Sequence, residues 1–338
     1  MVSSVGLHAR SIEVDRHAVQ SASAESFHEG ECAVQERVGV REQLEGVGHH
    51  AIRAFMPEQH RAFFAQLPCV IAGSVDALGR PWASVLANPP GFIQSADPRH
   101  LTIRAHLLTA DPLRENLRPG APVGIVGIEP HTRRRNRMNG VVESINDEGF
   151  TIEVQQSFGN CPKYIQARVP EIAQDRVGGE KRIAVSTKLD EAAREMVSGA
   201  DTFFIATAFP AARADDGPSH GVDVSHRGGK PGFVRVDFDG TLTAPDFQGN
   251  FFFNTLGNLV VNPRAGLLFI DFETGDLLYL TVDAEIIWDG RDVDAFDGAE
   301  RLLRFKVREA RRVERSLPLR WSEARLSPFL LRTGSWER

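Results

Sequence analysis

The chain aligns with itself, and this constrains its architecture more than any other property of the sequence. At an offset of 141, Pro90, Gly91, Phe92 and Ile93 fall on Pro231, Gly232, Phe233 and Val234, Ser84 falls on Ser225, and Leu101 and Thr102 fall on Leu242 and Thr243. At 142, Asn116 and Leu117 meet Asn258 and Leu259, Gly124 and Ile125 meet Gly266 and Leu267, and Val142 and Glu143 meet Ala284 and Glu285. Upstream the offset is 133, where Glu58 and Arg61 meet Glu191 and Arg194, and the run CVIAGSV from Cys69 meets TFFIATA from Thr202. The eight residues that separate offsets 133 and 141 belong to a longer loop of the second copy, residues 210–221. Collinear order from Glu58 to Glu143 implies two copies of one domain, consistent with 338 residues at roughly 150 per domain.

Each copy reads as a helix followed by strands. MPEQHRAFFAQL places Pro57 in a first helical turn, and STKLDEAAREMVSG opens on a Ser/Thr cap and closes on a glycine. The period then switches to two. Phe233, Arg235 and Asp237 alternate with Val234, Val236 and Phe238, and Asp239-Gly240 predicts a hairpin turn. VGIVGI from Val123 and AGLLFIDF from Ala265 are the continuous apolar runs of a doubly covered sheet. One short helix per copy is predicted near residues 112–117 and 255–261. The expected fold is mainly β with a few helices (α+β), two small antiparallel barrels in tandem. Residues 1–50, without clear period, are expected to be a leader or strap, 51–180 the first copy, 181–325 the second and 326–338 a tail.

Composition removes several classes. With 42% apolar and 25% charged residues the chain is an ordinary globular one. Lysine and arginine number 39 against 45 acidic residues, a formal charge of −6 that offers no general attraction to nucleic acid or an anionic membrane. The basic residues between Arg301 and Arg312 alternate with Leu303, Phe305 and Val307, which reads as a solvated strand face. Cys32, Cys69 and Cys161 form no CxxC pair, so neither a disulfide framework nor a thiolate metal site is expected. The first 25 residues lack a signal-peptide apolar core and no run reaches 18 apolar residues, so a cytoplasmic protein is expected.

Motifs narrow the chemistry further. HExxH, Walker A and GxSxG patterns are absent. Gly46, Gly48 and Ala51 imitate a dinucleotide fingerprint but follow a Glu/Gln-rich helical stretch instead of a strand. His28 and Cys32 have a ligand-like spacing, and as a lone pair they are expected to be surface residues. The most informative stretch is GVDVSHRGGKPGFVRV followed by APDFQGNFFFNTLGNLVVNP. Ser225, His226 and Arg227 end a strand before two glycines that admit close approach of a ligand or backbone. Asp246, Asn250, Asn254, Thr255 and Leu256 lead through a polar turn into a helix start. Free N–H groups, a hydroxyl, amides and a guanidinium there would make a phosphate cradle. The plainer reading is that Asn254 and Thr255 only cap the helix and residues 225–229 only turn the chain.

This stretch resembles the pyridoxamine 5'-phosphate oxidase-like FMN-binding split-barrel superfamily. The resemblance rests on PGFVRV at 231–236, PDFQGN at 245–250 and FNTLGNLVVNPRAGLLF at 253–269. The first copy carries a degenerate version, DPLRENLRPGAPVGI, and then FGNCPKYIQ from Phe158, similar to a signature of flavin-nucleotide-binding proteins. The resemblance implies a tandem duplication of an FMN-binding split β-barrel, with FMN between the two copies. It places Ser225, His226 and Arg227 on the phosphate side, and Asp246, Asn250, Asn254, Thr255 and Leu256 around ribityl or phosphate oxygens, with Lys163 and Tyr164 completing the site. Trp82 and the group Arg133, Arg134, Arg135 and Arg137 are further candidates, although four arginines so close together are expected to form a solvated hairpin. Where the oxidases carry adjacent Arg and Lys on the phosphate, this chain has Phe251 and Phe252. Another cation must then supply the charge, which disfavours pyridoxamine 5'-phosphate oxidation itself.

The resulting expectation is a flavin-dependent oxidoreductase acting on an unidentified small molecule or electron donor. No catalytic acid or base is assigned, and His226 is the titratable candidate in the motif. A non-catalytic flavin carrier or sensor, and a haem-binding split barrel with His220 or His226 as axial ligand, are the alternatives. No metal, nucleic-acid or membrane partner is expected, and a homodimer is left open.

Overall fold

The computed structural model describes residues 26–210 and 217–336. The first half of the expected leader, the middle of the longer loop and the last two residues lie outside them. The rest of the expected leader is helical: α1 spans Glu29–Arg37 and α2 spans Arg41–Ala51. α1 starts on a capping box, in which the His28 ring accepts from the Gly30 N–H while the Glu31 carboxylate accepts from the His28 N–H. Its buried face is Gly30, Glu31, Val34 and Gln35, and that of α2 is Leu44 and Gly48. Neither face is an apolar stripe, so the sequence shows no helical period.

α3 (Glu58–Ala65) precedes the first sheet, built from β1 (Cys69–Val75), β2 (Pro81–Ala87), β3 (Ile93–Gln94), β4 (His100–Ile103), the short α4 (Leu113–Asn116), β5 (Pro122–Glu129), β6 (Arg134–Asn146) and β7 (Gly149–Gly159). After β8 (Pro170–Ile172) and β9 (Ile183–Ser186), α5 (Glu191–Gly199) opens the second half. Its cap is Asp190, which accepts from the Ala193 N–H, and not the upstream Ser/Thr. The second sheet follows as β10 (Thr202–Ala208), β11 (Val222–Gly228), β12 (Arg235–Val236), β13 (Leu242–Phe247), then α6 (Asn254–Val261), β14 (Arg264–Ile270), β15 (Leu277–Ile287), α7 (Arg291–Asp294) and β16 (Ala299–Val313), with β17 (Leu319–Trp321) last. β12 starts only at Arg235 because Pro231 and Gly232 sit in a turn, with Gly232 at φ +85°.

The two sheets are wholly antiparallel and share one strand order: β2-β1-β5-β6-β7-β4-β3 in the first and β11-β10-β14-β15-β16-β13-β12 in the second. Neither order closes on itself through hydrogen bonds. Register is shared as well. Ser84 faces Ala72 as Ser225 faces Ile205, and Arg137 faces Val126 as Tyr279 faces Leu268. β6 slips register between Asn139 and Gly140, and β15 between Thr281 and Val282, the same step 142 residues on. Even a buried side-chain bond recurs, Asn116 Nδ2 to Ser74 Oγ at 2.9 Å and Asn258 Nδ2 to Thr207 Oγ1 at 3.1 Å.

Each half buries its own core. Phe63, Phe64, Ile93, Ile125 and Ile152 lie in the first, and Phe203, Phe233, Phe269 and Phe305 in the second. A third cluster joins them: Ile71, Trp82, Val85 and Val126 pack with Phe204, Val224, Leu268 and Tyr279. The halves meet there backbone to backbone. A Cβ on Gly124 would overlap the Val222 carbonyl, and one on Gly266 the Pro81 carbonyl. These two contacts are equivalent at the same offsets, as in an isologous interface. Among the described residues no helix is long and apolar enough to cross a membrane.

Candidate anion-binding cleft

The three strands and one helix that meet at the inter-half seam carry an unusual charge load. β6 delivers Arg135 and Arg137 to one face, because residues two apart on a strand point the same way, while Arg134 turns outward over the Phe63 ring. β11 delivers Ser225, His226 and Arg227, and β13 delivers Asp246. The loop after β13 reaches α6 through Phe251 and Phe253, both at positive φ (63° and 61°), a costly conformation for a bulky side chain. Asn250 holds this loop by accepting from the Phe252 N–H at 3.3 Å.

Arg137 is the hub. Its guanidinium donates to Asp223 Oδ1 and Asn254 Oδ1, both at 2.9 Å, and to the Ser225 hydroxyl, and lies over the Phe158 ring. Asp223 also accepts from Asn139 Nδ2 at 2.8 Å and Asn258 Nδ2 at 3.0 Å. Thr255 Oγ1 bonds Ser225 Oγ at 3.1 Å, and Asn254 Nδ2 donates to Glu31 of α1. Arg227 pairs with Asp246, whose other oxygen lies 3.4 Å from Arg301. Arg135 donates to the carbonyls of Cys161 at 2.6 Å and His226 at 3.4 Å.

Together these residues wall a cleft of about 560 Å³, part of it open to solvent, lined by Arg135, Arg137, Asn160 and every site residue expected from the second copy: Ser225, His226, Arg227, Asp246, Asn250, Asn254, Thr255 and Leu256. Leu256 also belongs to the second core, so packing is its main contribution. Lys163 and Tyr164 line an adjoining pocket that shares Arg135, His226, Arg227 and Phe247 with the cleft. Tyr164 packs 5.0 Å from Phe247, and Lys163 donates to Gln248. Of the glycines after Arg227, Gly228 serves a backbone, since a Cβ there would overlap the Tyr164 carbonyl, and Gly229 makes room for the Phe233 ring.

The cleft is electropositive inside. Buried nitrogens without a hydrogen-bond partner include Nε of Arg135, Arg137 and Arg227. Burial, with Arg137 beside it, pushes the Arg135 guanidinium down to about 9. Burial and then the charges of Arg135, Arg227 and Arg168 hold His226 well below the ordinary histidine range, so its imidazole is neutral at pH 7. Unspent donors and mutually repelling cations in a half-enclosed space call for an anion with several oxygens.

Some candidates fall elsewhere. Trp82 is buried in the shared core, its indole N–H donating to Asp76 at 3.0 Å. Arg133 bonds the Ile165 carbonyl, Cys161 contributes its carbonyl, and His220 packs 4.2 Å from Phe209 beside Glu29. His28 is buried, not a surface residue. Arg137 is likewise buried and Arg135 half-buried, so the solvated-hairpin expectation fails for them. Asp223, Asn258 and Glu31 were not foreseen.

A family model described as pyridoxamine 5'-phosphate oxidase matches residues 56–183. No curated protein matches the chain. Among solved structures, a histidine-to-alanine variant of HupZ from Group A Streptococcus is similar at 13% identity over 36% of this chain and 98% of its own, with a TM-score of 0.28. A candidate pyridoxamine 5'-phosphate oxidase of Lactobacillus delbrueckii is similar at 20% identity over 31% of this chain and 95% of its own (TM-score 0.25). MrkH of K. pneumonia, in complex with c-di-GMP, is similar at 10% identity over 78% and 87% (TM-score 0.24).

Proposed function

We propose that the chain is a tandem duplication of a split β-barrel, residues 51–180 and 181–325, that binds FMN in the seam and serves as a flavin-dependent oxidoreductase. The common strand order, register and bulge position support the duplication. The single observation that carries the ligand is the convergence of Arg135 and Arg137 from one half with Arg227, Ser225 and Thr255 from the other. The three guanidinium groups supply the charge that Phe251 and Phe252 do not. The phosphate of FMN meets the requirement of the cleft for an oxygen-rich anion, and would compete with Asp246 for Arg227. His226 lines both the cleft and a half-open apolar pocket walled by Val70, Ile71, Val126, Phe204 and Ile270, whose chemistry suits a flat ring. When bound, FMN would supply hydride or single-electron transfer. The side chains of the protein hold and orient it and exclude water.

A non-catalytic flavin carrier is the second reading. It is favoured by His226, which is neutral and flanked by cations and so offers no proton near pH 7. A visible spectrum of the purified protein, before and after added FMN, tests the cofactor. Flavin bands near one equivalent are expected, whereas no flavin uptake, or a Soret band, sinks the proposal. Turnover with NADH or NADPH then separates enzyme from carrier.

A further inference from the structure

We infer that the chain carries one anion site and not two, because the position in the first half that corresponds to the cleft has become apolar core with a carboxylate of the chain as its ligand. This rests on the cleft reading above. Shared register identifies the counterparts. Arg137 corresponds to Tyr279, Arg135 to Leu277, His226 to Val85, Arg227 to Leu86 and Ser225 to Ser84. By the offset of 141, Asp246 corresponds to Ala105. Every charged or titratable group of the cleft has thus been replaced by a neutral one, and all of the replacements are buried.

Only the serine persists, and its hydroxyl is taken. Ser84 Oγ donates to Asp111 Oδ1 at 2.5 Å, the same oxygen accepts from the Leu113 N–H at 2.8 Å, and the Tyr279 hydroxyl lies 3.3 Å from Asp111 Oδ2. In the second half the matching serine hydroxyl faces Arg137 and Thr255. Asp111 is 1% exposed. A phosphate brought here would meet a buried carboxylate instead of guanidinium groups, an uncompensated repulsion. The cation nearest in influence, Arg311, is held by the Ala110 carbonyl at 2.9 Å and by Glu309. In the groove walled in part by Ala87, His106, Leu108 and Thr109, Arg176 donates to the carbonyls of Leu319 and Glu273, and Lys181 to those of Arg176 and Arg315.

The test is binding stoichiometry on the full chain, with two probes. FMN titration followed by flavin fluorescence is expected to saturate at one per chain, to weaken at least tenfold in Arg227→Gln, and to be unchanged in Ser84→Ala and Asp111→Asn. Inorganic phosphate, followed by ³¹P NMR, is expected to give the same count and the same dependence. Two sites with either probe overturn the inference, as does one site that follows Ser84 or Asp111 instead of Arg227. Phosphate bound once with no FMN uptake defeats the flavin reading and leaves the one-site inference standing. Binding of neither probe defeats both. Circular dichroism checks that each variant folds, and Arg135→Gln replaces Arg227→Gln if that chain does not.

Discussion

Arg137 and Asp223 are both nearly fully buried, and each would be intolerable alone in that place. Their attraction, with the bonds from Asn139, Asn254, Asn258 and Ser225, offsets the loss of water around two charges, and the remainder is small. Breaking the pair is a different matter. Arg137→Ala leaves Asp223 buried without its cation and is expected to destabilise the protein by about 3–5 kcal/mol in denaturant unfolding. The double variant Arg137→Met with Asp223→Leu is expected to regain most of that stability while binding no anion, and a double variant as unstable as the single one would defeat this account. The cleft residues of the second half were legible because Asp246 to Leu256 are nearly contiguous, and the motif carries its own turn and helix start. Arg135 and Arg137 were misread because their partners lie far along the chain, where neither composition nor spacing reveals a counter-charge. Their two-residue spacing on a strand was the available signal.

At the scale of elements, α1 is held on α6 by two glycines. A Cβ on Gly30 would overlap the Gly257 carbonyl, and one on Gly257 would sit 2.5 Å from Glu31 Cγ and 2.6 Å from its backbone nitrogen. Gly257→Ala is therefore expected to cost about 1–3 kcal/mol and to detach α1, seen as faster amide exchange over residues 28–37 with β-strand protection retained. The docking also depends on pH. Burial, the largest influence on His28, helped by the neighbouring His220 and opposed by Asp223, Glu29 and Asn258, holds it at about 4 against an ordinary 6.5. The unfolded chain takes up that proton below pH 6.5 and the folded chain only near 4. Stability is then complete above 6.5 and is lost as pH falls toward 4, by roughly 3 kcal/mol at most. Glu31, with its carboxyl raised by burial, acts in the opposite direction. The check is thus a comparison: the stability advantage of wild type over His28→Gln should shrink between pH 7 and pH 4.5, and a constant difference would refute the role of His28. None of this was legible in the sequence. A helix whose buried face is glycine, glutamate, valine and glutamine carries no hydrophobic period, and the fit to α6 is a matter of missing side chains.

For the whole molecule, the sequence foresaw antiparallel strands after a helix in each half, because strand runs and turn residues are local signals that survive divergence, whereas the two expected barrels are sheets that do not close through hydrogen bonds. How the halves face each other was not legible, since an interface made by glycine and backbone leaves little trace in composition. In the proposed duplication the seam does the work of a dimer interface, and its approximate symmetry makes a quantitative demand. Gly124 lies against the Val222 carbonyl and Gly266 against the Pro81 carbonyl, and neither neighbour can rotate away, because both are backbone. The shared core on either side, with Trp82 and Tyr279 fully buried, transmits any separation to both sheets. The C-terminal segment binds the halves again: β17 pairs with β8, Arg325 bridges Ala167, and the Ser327 N–H donates to the Gln166 side chain at 2.8 Å. One cooperative unfolding transition in calorimetry is expected, not two. Gly124→Val and Gly266→Val should each lower stability by about 1–3 kcal/mol, and by similar amounts, because each forces the same backbone contact apart from opposite sides. Their effects on the ligand should still differ. Gly124 neighbours Asn139, which is bonded to Asp223 of the cleft, whereas Gly266 lies against Trp82, which takes no part in it. If Gly266→Val weakens FMN binding as much as Gly124→Val does, the cleft is not confined to one side of the seam.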